Sequence, residues 1–222
     1  PNARTKLLEL EMRGLAGRIA GDGAAAEPPQ TAAVAAERTV LESIEDVRRV
    51  LGSASRTERF AIAAGETVQF AFDSSRYYEV VQGADLFSAP IDEASLFGAM
   101  RAFFENEAGS VLAFDTKRLR HLLDQFGITL RTQVFDAMIA DYLLDATRPS
   151  TSFAMLCERF DANAKPNAAM LFLMRERMLQ QLADAGMSKL YDEMELPLSV
   201  VLYRMEREGF RERFARGPER PR

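Results

Sequence analysis

The sequence predicts an α/β layered domain with a mixed sheet and a helical C-terminal extension. Three observations carry that expectation. Short strand patterns are crowded between residues 59 and 81, helix and strand periods alternate from 92 to 145, and helical spacing then runs from Ser152 to Glu208.

The elements follow in order. Leu7, Leu8, Leu10, Met12, Leu15 and Ile19 recur at helix-like intervals, and GDGAAAEPPQTAAVAAE after them is a low-complexity linker. Val40, Leu41, Ile44, Val47, Val50 and Leu51 predict a helix over 39–51 that opens the globular part. RFAIAAG, TVQFAFD and RYYEVV alternate as strands of an antiparallel meander. Asp92 is placed to cap a helix reaching Asn106, SVLAF is a short buried strand, and DTKRLRHLLDQFG is a helix closed near Gly127. ITLRTQV predicts a further strand and FDAMIADYLLD a further helix. Breaks in the helical tail are expected near Lys165-Pro166, at Gly186 and around Pro197. This order suits a ribonuclease H-like three-layer arrangement among several α/β folds.

Composition narrows the chemistry. The 222 residues are 47% hydrophobic and 27% charged, enough for one substantial core with a short appendage. A net charge of -5 and a pI near 5.2 give no general basic field for phosphate backbones. One cysteine, Cys157, and one histidine, His121, exclude an intrachain disulfide and a Cys/His zinc site. No apolar run is long enough to span a bilayer and no signal-peptide order is present, so a cytoplasmic location without membrane contact is expected. Because the sequence begins at Pro1, part of a longer protein is also expected. GDGAAAE lacks the Lys-Ser/Thr of a nucleotide-binding loop and follows no strand.

Three segments carry a family resemblance: FDTKRLRHLL at 114–123, GITLRTQVFDAMIADYLLD at 127–145, and KLYDEMELPLSVVLYRMEREGF at 189–210. In order and interval they resemble the 3'-5' exonuclease-like region of bacterial family A DNA polymerase (DNA polymerase I). ARTKLLELEMRGLAGRI resembles the end of that family's 5'-nuclease region. The resemblance implies four parts: 1–38, the end of the 5'-nuclease region and a linker; 39–187, the exonuclease-like domain; 188–210, a connecting helix toward an absent polymerase domain; and 211–222, a basic disordered tail. It also implies DNA as the partner of the full-length polymerase, Mg²⁺ as the parent's cofactor with none for this chain, and a monomer.

An active exonuclease of this family holds two divalent metals with about four carboxylates. Aligned on Phe60-Ala61, the first acid pair falls on Ala63 and Gly65, neither of which can bind a metal, while the second motif keeps its acid as Asp115. The third motif falls near Asn163, Asn167, Ala168 and Ala169, again without an acid. The resemblance therefore implies a catalytically degenerate domain, with Asp115 the residual metal candidate. The alternatives are a residual 3'-5' exonuclease on single-stranded DNA using Asp115 with Glu66, Asp73 or Asp161, and a nucleic-acid-binding module using the arginine-rich tail. Plainer readings stand beside these: Asp115 and Asp136 as helix caps, Lys117, Arg118 and Arg120 as a solvated face, and His121 and Cys157 as packing residues.

Overall fold

The structure, a computed structural model, describes residues 36–55, 59–81, 91–161 and 165–209, all within the compact unit Val34–Arg222. The expected N-terminal helix and linker and the arginine-rich tail lie outside the described residues. Among the described residues, six strands and seven α-helices follow in chain order: β1 (Glu37–Leu41), α1 (Ile44–Ser53), β2 (Arg59–Ala64), β3 (Val68–Ala71), β4 (Arg76–Val80), α2 (Glu93–Phe104) and β5 (Ser110–Ala113). Then come α3 (Thr116–Asp124), β6 (Gln133–Asp136), α4 (Ala137–Leu144), α5 (Phe153–Phe160), α6 (Met170–Asp184), a π-helical segment (Leu190–Glu195) and α7 (Leu196–Glu208).

The sheet order is β1-β4-β3-β2-β5-β6. β2, β3 and β4 form the expected antiparallel meander, whereas β1–β4, β2–β5 and β5–β6 pair in parallel. Strand alternation sends large side chains to one face and small ones to the other. Phe60, Ile62, Val68 and Phe70 join residues of α1, α2 and α3, such as Leu51, Phe97 and Leu123, in one core. Ala61, Ala71 and Leu112 join residues of α4, α5 and α6, such as Ala140, Cys157 and Met174, in the other. Phe60, 1% exposed, centres the first core, with the rings of Phe70, Phe72, Phe103 and Phe104 at 4.9 to 5.8 Å. These two cores complete the three layers.

The structure corrects three local expectations. Residues 39–51 are not one helix: Glu37–Leu41 pairs in parallel with β4, and α1 starts only after Ser43. The Ser43 hydroxyl accepts from the Asp46 N–H at 3.1 Å, so a capping serine with acids behind it ends the strand and starts the helix. ITLRTQV is a strand only from Gln133; Ile128 and Leu130 are buried in the first core, while the N–H groups of Arg131 and Thr132 both reach the Phe104 carbonyl at the end of α2. Pro197 breaks nothing. Helical structure continues through the π-helical segment, where the Leu196 N–H bonds the Tyr191 carbonyl five residues back, and Pro197 then sits in the first turn of α7.

Gly127 closes α3 with φ of 62°, while the Ile128 N–H bonds the Leu123 carbonyl at 3.1 Å. A side chain in that left-handed conformation is strained. Gly127→Ala is expected to lower stability by about 1 kcal/mol in denaturant titration, whereas Gly52→Ala, inside α1 with nothing within 4 Å of an added Cβ, should be neutral or raise it.

Candidate functional site

The parallel registers bring three strand ends to one corner of the sheet. Ala61 stands opposite Leu112 and Ala113 opposite Asp136, so β2, β5 and β6 run out side by side toward Gly65, Asp115 and Ala137. Ala63 is still in the ladder, opposite Gln69 on β3, and lies with Phe114 at the margin of the core that contains Ala168 and Ala169. Gly65 lies just past β2, its N–H bonded to the Thr67 carbonyl, and an added Cβ there would meet nothing within 4 Å. Space alone does not exclude a larger side chain at that position.

Asp115 is the N-cap of α3, one carboxylate oxygen accepting from the Arg118 N–H at 2.9 Å. Asp136, 1% exposed, is the N-cap of α4. Its Oδ1 accepts from the Met138 and Ile139 N–H groups at 3.0 and 3.1 Å, and its Oδ2 accepts from the Thr116 N–H and hydroxyl, both at 2.7 Å. One carboxylate therefore ties the starts of α3 and α4 together. The Tyr191 hydroxyl accepts from the Asp136 N–H at 2.8 Å and donates to the Asp136 carbonyl at 3.1 Å, fastening the C-terminal helical segment to the same point. Burial pushes the Asp136 carboxyl up to about 6, against the pull of the donors at Thr116 and Ile139 and with a further push from the Asp115 charge.

The other expected residues go elsewhere. Asn167, Ala168 and Ala169 are buried just before α6; the Asn167 amide donates to the Lys165 carbonyl, and Asn163 lies outside the described residues. Asp73 is at the opposite end of the sheet, since β3 is antiparallel to β2, and its carboxylate accepts from the N–H and hydroxyl of Ser75, which lower its pKa. Glu66 is an exposed turn residue, and Asp161 ends α5. Among the described residues, no group of three or more His, Cys, Asp or Glu side chains is arranged to hold a metal ion.

The basic residues of α3 are largely engaged. Lys117 bonds Glu206 of α7 at 2.7 Å, and Arg120, half-buried and with its pKa lowered by that burial, donates to the Leu130 carbonyl at 2.8 Å. His121 bonds Glu206 at 2.9 Å and sets its ring edge-on to Tyr203, whose hydroxyl bonds Asp124. Arg118 is exposed beside Gly65, Glu93 and Gln125 in a cleft of about 270 Å³. Cys157 is fully buried and its thiol is pushed up to about 12 by burial, which leaves it without thiolate character at neutral pH.

Sequence reasoning missed the tie among Thr116, Asp136 and Tyr191. The available signal was that Asp115-Thr116 and Phe135-Asp136 both mark strand-to-helix turns; nothing in the sequence linked Tyr191 to them. It also missed buried Asp141, whose carboxylate accepts from the Ser150 N–H at 2.8 Å and from Arg159 at 3.0 Å to hold the loop before α5.

Because its folded pKa lies above the unfolded value near 3.8, the Asp136 carboxyl favours folding most below pH 4, and that contribution is lost as pH rises through about 6. Carboxyl-carbon NMR should show a midpoint near 6 for Asp136. Asp136→Ala removes the shared cap and is expected to cost on the order of 3 kcal/mol, measured by chemical denaturation.

Comparisons with known proteins bear on the fold. Residues 75–167 match the family model described as DNA polymerase I, ribonuclease H-like domain. No curated protein matches the chain. Among solved structures, the POL domain of Pol1 from M. smegmatis, in complex with DNA primer-template and dNTP, is 18% identical with a TM-score of 0.57, over 77% of this chain and 31% of that one. This chain thus spans about a third of that polymerase chain. Brucella melitensis NrnC with bound Mg²⁺ is 13% identical with a TM-score of 0.54, covering 82% of this chain and 98% of that one. The catalytic core of RRP6 from Trypanosoma brucei is 15% identical with a TM-score of 0.52, covering 74% and 52%. The likeness to these structures is one of fold, and no helix among the described residues is long and apolar enough to cross a membrane. With its mixed six-stranded sheet between two helical layers, the chain has a ribonuclease H-like fold, and its residues 75–167 are similar to the ribonuclease H-like domain of DNA polymerase I.

Proposed function

We propose that this domain is a catalytically silent, structural module of a DNA polymerase I that acts in cytoplasmic DNA replication and repair. One observation carries the reading: the corner formed by β2, β5 and β6 has Ala63 and Gly65 where the family's first acid pair aligns, and its two carboxylates, Asp115 and Asp136, are spent on backbone N–H groups. Two-metal phosphodiester hydrolysis needs several carboxylate oxygens shared between two cations, one to activate the water and one to steady the leaving 3'-oxygen. Two aspartates already committed as caps, with a methyl group and a glycine beside them, cannot meet that demand.

In this reading the domain spaces and orients its neighbours, residues 1–38 toward the 5'-nuclease part and 188–210 toward the polymerase part. DNA and Mg²⁺ engage the parent through those parts. The Tyr191 and Glu206 contacts make the last helix an extension of the domain's own packing rather than a loose tether.

Labelled single-stranded DNA incubated with this chain and Mg²⁺ or Mn²⁺ should keep its 3' end, with no shortening above the protein-free control. Shortening that disappears in Asp115→Ala would replace this reading with that of a residual exonuclease.

A further inference from the structure

Although the chain carries a net charge of -5, the seam between α3 and α7 is rich in cations. Lys117, Arg118 and His121 stand on α3, and Arg204 and Arg207 on α7, which packs against it. Like charges meet there, since Arg204 adds to the burial that lowers the pKa of Arg120 on α3. Glu206 answers part of this charge. Its Oε1 accepts from Lys117 Nζ at 2.7 Å, and its Oε2 lies 2.9 Å from His121 Nε2. Bonds to Lys117 and then His121 hold the Glu206 carboxyl below its ordinary pKa. Two nitrogen groups thus grip the two oxygens of one anion, as charge-assisted bonds also hold a phosphate.

The grip is open to competition. The Glu206 side chain is 48% exposed and that of Lys117 33%, and ion pairs this accessible to water are held weakly. α7 does not depend on them, because the Tyr203 hydroxyl bonds Asp124 and Tyr191 is fastened at Asp136. Space lies beside the pair. Arg118 and His121 line the cleft of about 270 Å³, with Gln125 next to them and Val68, Phe97 and Leu122 as its apolar wall. Val68 stands opposite Ala64 and belongs to the core under α1, α2 and α3, whereas Ala63 faces the other helical layer. A ligand in this cleft therefore lies on the opposite face of the sheet from Ala63.

We propose that the seam between α3 and α7 is a binding site for a phosphate-bearing ligand, and that Glu206 occupies it in the free domain. The incoming phosphate takes over the contacts of Lys117 and His121, gains the exposed guanidinium of Arg118 from the cleft, and leaves the Glu206 carboxylate to solvent. Glu206 is thereby a built-in competitor. It keeps the affinity of an acidic domain for phosphate low, and the exchange of one anion for another makes binding sensitive to salt. The recognising chemistry is the same for a free phosphorylated ligand and for the backbone of a nucleic-acid strand. This role goes beyond the structural one proposed above, and it holds whether or not the corner has lost its nuclease chemistry.

Binding to the full chain at about 50 mM salt tests the site with two probes. Inorganic phosphate is followed through the NMR signals of His121, the chain's one histidine, and a fluorescent oligothymidylate through its anisotropy. Glu206→Gln is expected to tighten at least one of them about five-fold, the factor that removal of one exposed ion-pair competitor supports. Adding Lys117→Gln to that variant should remove the gain, and Glu45→Gln, an equal charge change at an exposed position of α1, should give none. Circular dichroism checks that each variant keeps its fold. Tightening of the oligonucleotide alone assigns the ligand to a nucleic-acid strand, whereas tightening of inorganic phosphate shows that a free phosphate group suffices. Absence of binding by both probes overturns the proposal. So does binding that Glu206→Gln leaves unchanged, a gain that Glu45→Gln matches, or a gain that survives Lys117→Gln.

Discussion

The Asp136 carboxylate is the point at which local structure becomes tertiary structure in this domain. A helix start leaves backbone N–H groups without partners, and two helix starts side by side at a sheet corner double that problem. Asp136 answers both with one group, capping α4 through Oδ1 and binding Thr116 at the start of α3 through Oδ2. Because Asp136 also ends β6, the direction in which α3 and α4 leave the sheet is fixed by the strand pairing itself. Tyr191 then bonds the backbone of the same residue, so the C-terminal helical segment takes its position from that corner as well.

The two faces of the sheet divide the remaining packing. The face toward α1, α2 and α3 is filled by phenylalanines: Phe60 on Phe103 at 4.9 Å joins sheet to helix, and Phe97 on Phe126 at 5.0 Å joins α2 to the end of α3. The other face presents Ala61 and Ala71, which lets α6 approach closely and fill the space with Met170, Met174 and Met178. Ala63 belongs to that second pattern. Its methyl group continues the row of small residues from the core to the corner, so this end of β2 is given to packing.

Most of the sheet was legible because its strands alternate cleanly and its helices begin on aspartates that act as caps. The meander, α2, β5, α3 and α4 follow from those signals, and Asp115 and Asp136 both cap helices at the corner, the plainer reading of each. What escaped was set by tertiary contacts. Val40 and Leu41 fit a strand or a helix equally well until β4 supplies a parallel partner, and Ile128 and Leu130 look like a strand although their neighbours' N–H groups are taken by the Phe104 carbonyl. Pro197 predicts a break because proline lacks a donor, yet the preceding π-helical segment already shifts the bonding pattern that the ring would disturb.

The chemistry of the corner explains how it holds together with only two carboxylates. Several carboxylates converging on one point repel one another unless cations neutralise them, and the energy they contribute to function is withdrawn from stability. With Ala63 and Gly65 in place, the charges left there are few enough to be satisfied from within: Asp115 by the Arg118 N–H, and Asp136 by its four donors. Only the Asp115 charge adds a push of that kind to Asp136, behind the larger effect of burial. A corner with so little repulsion can serve as a fixed junction, which is what the two helices leaving it and the segment docked on it require.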